Sequence, residues 1–246
     1  LIFLRDLTQC AGFLRKRDDE LRYLDELIDE AHKNFGDNHY LMKWAMITYR
    51  AAWQDDPAKL EELLRRLAGE RDWPTDRVQT MLSKGSNWHY HTGSAPPSDW
   101  RKANFDIEPW PFGPAPLGYG EADIATEIPA GEADDKWASA FFVTDFSVPD
   151  ETNFEQLRVK VRSDDGIVIS LNGVEVHRQH LPTNADVTWK TYATREVGGI
   201  EEELYYVTEI DPSFLRPHNR LSVQVHQCNG KSSDLIFDLT LEGVLK

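Results

Sequence analysis

The sequence is short of cysteine, of cations and of long apolar runs. Its 246 residues hold two cysteines, Cys10 and Cys228, far apart in the chain. They match no zinc, haem or dithiol spacing and build no disulfide framework, so two free thiols are expected. Lys and Arg number 27 against 42 Asp and Glu, a net charge of −15. Non-specific affinity for duplex nucleic acid comes mainly from cations set against phosphates, so no nucleic-acid partner is expected. No apolar run approaches the roughly 18–20 residues that a membrane-spanning helix needs, so no span is expected. No Gly-x-Ser-x-Gly elbow, phosphate-cradling glycine loop or zinc-protease helix motif is present, and no catalytic or cofactor-binding residue is assigned. The chain starts at Leu1 without a signal peptide, which reads as a piece of a longer protein.

What the chain does have is 40% hydrophobic and 11% aromatic residues, the composition of packed cores rather than of disorder. Its texture changes near Gly85, and two domains are expected, 1–85 and 86–246. The first stretch has a net charge of −2 and is rich in Leu, Arg, Glu and Asp; the second has −13 and holds eleven of the thirteen prolines. In the first, Leu21, Leu24, Leu27, Ile28 and Ala31 recur at spacings of three and four, the stripe of an amphipathic helix. A second helix is expected over 40–53, and Asp56-Pro57 caps a third carrying Leu60, Leu63, Leu64 and Leu67. Thr75 opens a last short helix with Val78, Met81 and Leu82, closed by Gly85. A further helix is expected over 3–17.

The second stretch alternates with a period of two. Leu157, Val159 and Val161 interleave with Arg158, Lys160 and Arg162, which predicts a strand with one buried face. Leu221, Val223 and Val225, and then Leu235, Phe237, Leu239 and Leu241, repeat the pattern. Asn172-Gly173, between two short apolar runs, predicts a type I′ hairpin. Six or more such strands argue for an antiparallel β-sandwich. The expected fold class is therefore α+β in two domains, helical hairpins followed by a sandwich.

Family likeness enters at particular residues. The helical stretch, above all its Ala- and aromatic-rich segment 44–53, is similar to tetratricopeptide-type hairpins. The second stretch resembles the galactose-binding-domain-like jelly-roll modules appended to bacterial hydrolases, phosphoesterases and surface proteins. The matching text is Trp88-x-Tyr90, Trp100, Phe105-Asp106, Trp110 and the run 113–120, Gly-Pro-Ala-Pro-Leu-Gly-Tyr-Gly. It continues through Phe141-Phe142, Ser163-Asp164-Asp165-Gly166, Leu171-Asn172-Gly173, Asn219-x-Leu221-x-Val223-x-Val225-His226-Gln227 and Ser232-Ser233-Asp234-Leu235-x-Phe237-Asp238. The resemblance implies a non-catalytic accessory module that binds or scaffolds. The sandwich would contact a carbohydrate or a partner protein, and the helices a protein. It also implies an exported or envelope location, which free thiols oppose. Two alternatives stand beside this reading: the accessory region of a larger hydrolase or phosphoesterase with its active site before Leu1, and a structural subunit of a larger assembly.

Two sets of residues carry candidate chemistry. Trp88, Tyr90, Trp100, Trp110 and Tyr119 crowd the entry to the sandwich. They either form a platform on which sugar rings stack, with Trp100 and Trp110 the first choices for exposed rings, or plug the ends of the sandwich or cement it to the helices. Asp164 and Asp165 sit in a tight turn. They are either ligands of a structural calcium or carboxylates bonding their own backbone. His89-x-His91 and His177-x-x-His180 lack neighbours that would complete a four-ligand metal site and are expected to be structural or surface histidines.

Overall fold

The computed structural model describes residues 77–148 and 154–246, together with residues 19, 22, 23, 26, 27, 30 and 58. The chain divides into two compact units, Leu1–Arg71 and Asp72–Lys246. Fourteen strands are described, all in the second unit: β1 (Val78–Leu82), β2 (Asn87–Thr92), β3 (Phe112–Pro114), β4 (Leu117–Tyr119), β5 (Thr126–Glu127), β6 (Gly131–Glu132), β7 (Asp135–Lys136), β8 (Ser139–Ser147), β9 (Phe154–Ser163), β10 (Gly166–Leu171), β11 (Val174–Gln179), β12 (Tyr206–Ile210), β13 (His218–His226) and β14 (Leu235–Leu245).

The strands make two six-stranded sheets and a small hairpin. The first sheet runs β12-β9-β14-β4-β5, with β1 and β4 both paired to the edge of β14 that β9 leaves open. The second runs β11-β10-β13-β8-β2-β3, and β6 pairs with β7. Pairing is antiparallel except between β4 and β5. Alternate residues on the inner faces fill one core: Leu157, Val159 and Val161 from β9 and Phe237, Leu239 and Leu241 from β14. They meet Ile167, Ile169 and Leu171 from β10 and Leu221, Val223 and Val225 from β13. The Asn172-Gly173 hairpin between β10 and β11 has φ of 54° and 84°, as a type I′ turn requires.

The α+β expectation is corrected. The described residues are nearly all β, with no helix of seven or more residues, so helical hairpins of tetratricopeptide type are absent from them. The hairpins expected over 18–35, 40–53 and 57–69, and the helix over 3–17, fall outside the described residues apart from isolated positions. The helix expected from Thr75 to Gly85 is overturned directly, because Val78–Leu82 is a strand whose Val78 stands opposite Val244 of β14. The free edge of β14 offers hydrogen-bond partners to the backbone groups that face it, and this pairing overrides the helical spacing.

The outer faces are also more buried than the alternation predicts. Arg158 and Arg162 are 4% and 6% exposed. Arg158 pairs with Glu242 across the β9–β14 ladder, and Arg162 donates to Asp123 and to the Glu202 carbonyl. On the second sheet, loops 93–111 and 180–197 cover the outer face. Arg220 forks onto Asp145 at 2.8 and 2.7 Å and spends its remaining nitrogen on the carbonyls of Lys102 and Phe105, pinning the first loop.

Candidate functional site

The five aromatic residues singled out in the sequence do not converge on one surface. Trp88 lies on the inner face of β2, fully buried, edge-on to Phe237 with ring centroids 4.9 Å apart. Tyr90 is half-buried against the same core, and Tyr119 is buried at the end of β4 with its hydroxyl accepting from Gln227 Nε2 at 3.0 Å. Trp100 and Trp110 are not exposed rings: they are 3% and 9% exposed. They stack 6.1 Å apart and, with Ile107, pack against Phe141 and Val143 on the outer face of β8. A ring with both faces covered offers nothing for a sugar to lie on. Here the two rings fasten loop 93–111 to the outer face of β8.

Asp164 and Asp165 are buried as well, and they differ from one another. Asp165 accepts the backbone N–H of Val197 on Oδ1 and that of Cys228 on Oδ2, each at 2.6 Å. Its carbonyl accepts from His180 Nδ1 at 3.0 Å, which leaves His180 Nε2 to accept from Arg195, itself paired with Glu201. Both carboxylate oxygens of Asp165 are thus occupied in clasping two loops to the sandwich. Asp164 Oδ1, by contrast, has no hydrogen-bond partner. Burial, and then the neighbouring Asp165 carboxyl, hold the Asp164 pKa far above the carboxylate range. The first histidine pair meets the loop that carries Trp110: His89 Nδ1 contacts the Trp110 carbonyl at 3.1 Å, and the His91 ring lies over Trp110 with centroids 4.9 Å apart.

A group of less buried rings lies elsewhere. Trp137, Trp189 and Tyr192 line an open cleft of about 600 Å³, together with Glu132, Asp135, Lys136 and Lys190. Trp137 and Trp189 are half-buried and Tyr192 is 41% exposed. Trp137 follows the β6–β7 hairpin and is seated against Gly93. A Cβ at Gly93, whose φ is +82°, would stand 2.7 Å from the indole, so only glycine admits the ring there. Trp189 and Tyr192 belong to loop 188–193. Three bonds fix that loop: Ser139 Oγ to the Trp189 carbonyl at 2.7 Å, His226 Nδ1 to the Thr191 carbonyl at 2.8 Å, and the Ala193 N–H to the Gln227 carbonyl at 2.8 Å. Burial holds the His226 pKa down, to about 4, so the ring is neutral and its Nδ1–H is available to that carbonyl. The Lys190 ammonium sits 4.8 Å over the Trp189 ring.

The sequence reading passed over this cleft. A signal existed: Trp189 and Tyr192 fall in a run of Thr and Lys with no apolar alternation, so neither is assigned to a strand face.

Fold and surface together define a two-sheet antiparallel β-sandwich with a rigidly held aromatic cleft built by its loops. No protein-family model and no curated protein matches the chain. Among solved structures it is similar to the β-glucuronidase of Bacteroides uniformis, at 16% identity and TM-score 0.46, over 68% of this chain and 18% of that one. It is also similar to the β-glucuronidase of Ruminococcus gnavus in complex with D-glucaro 1,5-lactone, at 10% identity and TM-score 0.43, over 71% of this chain and 31% of that one. A third is a β-glucuronidase from glycoside hydrolase family 2, at 12% identity and TM-score 0.42, over 69% of this chain and 18% of that one. The chain spans less than a third of the length of each of these enzymes.

Proposed function

We propose that the sandwich is a non-catalytic carbohydrate-binding module and that its sugar site is the cleft of Trp137, Trp189 and Tyr192. The observation that carries this reading is three partly exposed rings around one open cleft, with carboxylates and amines at its rim. A pyranose ring has an apolar face of C–H bonds that lies well on an indole or phenol, and its hydroxyls need donors and acceptors at the edge. Glu132 and Asp135 supply acceptors, and Lys190 a donor. The rings are held by glycine contact and by bonds to β8 and β13, so little ordering entropy is lost on binding.

The test is a glycan panel followed by intrinsic tryptophan fluorescence and calorimetry on the full chain. A glycan that binds should do so at least about tenfold more weakly to Trp189→Ala, the equivalent of about 1.4 kcal/mol. Binding unaltered by Trp189→Ala and by Tyr192→Ala, or a panel without any response, would overturn the assignment.

A further inference from the structure

Two Asn-Gly pairs occur in the sequence, Asn172-Gly173 and Asn229-Gly230, and the fold treats them in opposite ways. An asparagine followed by glycine is open to one reaction. The glycine backbone nitrogen attacks the asparagine side-chain carbonyl carbon, and the missing Cβ leaves that approach unhindered. In a folded chain the rate depends on whether the side chain lies over the next peptide and can close on it.

Asn172 is locked. Its Nδ2 donates to the Phe214 carbonyl at 2.8 Å and to Asn219 Oδ1 at 2.9 Å, and its Oδ1 accepts the Arg220 N–H at 3.0 Å. Its own N–H donates to the Arg220 carbonyl at 2.9 Å. Closure onto Gly173 would first have to break the bonds at both ends of the amide. Asn229, by contrast, is exposed in the loop between β13 and β14. Its Oδ1 accepts the Lys231 N–H at 2.8 Å, a turn that folds the side chain over the intervening Gly230 peptide. Among the described residues none accepts the Gly230 N–H. The Lys231 N–H meets the oxygen on which negative charge collects once the carbonyl carbon is attacked. At the other end of the amide, Nδ2 lies 3.0 Å from Cys228 Sγ. Burial, and then the Asp165 carboxyl, push the Cys228 thiol up to about 11, so it stays protonated beside the nitrogen that must depart.

We propose that Asn229-Gly230 is a site of spontaneous covalent modification, in which the Asn229 amide becomes an acid through a cyclic imide. The Gly230 nitrogen forms a bond to Asn229 Cγ and loses its proton. The Cγ–Nδ2 bond breaks, and the nitrogen leaves as ammonia with that proton gained. Water then opens the imide at either of its carbonyls, giving aspartate or isoaspartate. Both products add a negative charge, and isoaspartate also adds one carbon to the backbone. The Gly230 carbonyl accepts the Lys136 N–H at 2.9 Å, and a Cβ on Gly230 would stand 3.3 Å from the Tyr192 hydroxyl. Lys136 and Tyr192 both line the aromatic cleft, so the modification acts on the cleft wall. The chemistry does not rest on the sugar reading, and the glycan panel bears on it in neither direction.

The experiment is storage of the full chain for several weeks at neutral pH and body temperature, natively and in urea. Peptides made under mildly acidic digestion are then read by mass spectrometry and by an isoaspartate-specific methyltransferase. In the folded chain Asn229 should convert at least about tenfold faster than Asn172, with isoaspartate among the products, because Asn172 reacts only after local opening. In urea the two rates should come within about threefold of one another, since the hairpin no longer protects Asn172. Gly230→Ala should slow conversion of Asn229 at least about tenfold by hindering the attack, and leave Asn172 as it was. Asn172 converting as fast as Asn229 in the folded chain would overturn the proposal. So would an Asn229 that stays an amide when folded yet converts in urea. Conversion to aspartate alone would also overturn it, because direct hydrolysis, without the imide, gives no isoaspartate.

Discussion

Replacing Asp165 by alanine tests how the sandwich holds the loops that carry the cleft. The side chain is 2% exposed, and its two oxygens accept the N–H groups of Val197 and Cys228 at 2.6 Å. Hydrogen bonds to a charged acceptor contribute about 1.5–3 kcal/mol each, and a buried N–H stripped of its acceptor loses its full desolvation penalty. Two such bonds set the expected loss at about 3–5 kcal/mol, among the larger single-residue effects in a domain of this size. Asp165→Asn retains the shape and one acceptor but turns an amide N–H toward a backbone N–H, so it should lose about half as much or more. The assay is urea unfolding at pH 7 followed by near-UV circular dichroism, which reads the packed rings of Trp88, Trp100 and Trp110. The denaturation midpoint should fall with the slope unchanged. Hydrogen exchange should show the Val197 and Cys228 amides losing protection first. A loss under about 1 kcal/mol for the alanine variant would refute the view that this carboxylate, rather than the surrounding apolar contacts, clasps the loops.

Two further outcomes follow from the same geometry. Gly93→Ala puts a Cβ 2.7 Å from the Trp137 indole at a residue whose φ is +82°, so the ring must move. Stability should fall by about 1–2 kcal/mol and glycan binding more than tenfold, and an unchanged affinity would show that the Trp137 seat does not matter. His226 gives a pH dependence whose sign is determined. Its folded pKa lies near 4 against an ordinary 6.5, so between those values the unfolded chain binds a proton that the native chain does not. Stability should therefore fall as pH drops through that window. His177 and His180, both lowered chiefly by burial, add to the same slope. His226→Gln should flatten part of it, and an unaltered profile in chemical denaturation would refute the assignment.

Some of this protein is written in its local pattern. The alternation in β9, β13 and β14 appears in the sequence because the pleat itself sends successive side chains to opposite faces. The Asn172-Gly173 hairpin is legible for the same kind of reason, since two adjacent positive φ values select those residues locally. Val78, Met81 and Leu82 read as a helix stripe and form a strand. Their spacing is that of a helix stripe, and the free edge of β14 overrides it. The burial of Arg158, Arg162 and Arg220 is equally silent in the sequence. A charged residue alternating with Leu and Val reads as solvent-facing until Glu242, Asp123 and Asp145 arrive from elsewhere in the chain.

The candidate sites divide the same way. Sequence alone picked out the aromatic wealth of the sandwich and the paired aspartates before β10, because residue type is enough to mark them. Which rings stay uncovered was decided by loops folding over one face of a sheet, so Trp100 and Trp110 went under while Trp189 and Tyr192 remained at a cleft. The two Asn-Gly pairs are alike in the sequence, and tertiary structure alone separates them. Phe214, Asn219 and Arg220, which occupy both ends of the Asn172 amide, stand 42, 47 and 48 residues from it in the chain. The sandwich brings them there through strand pairing that no short window of sequence contains, whereas a side chain's face on a strand is set by its immediate neighbours.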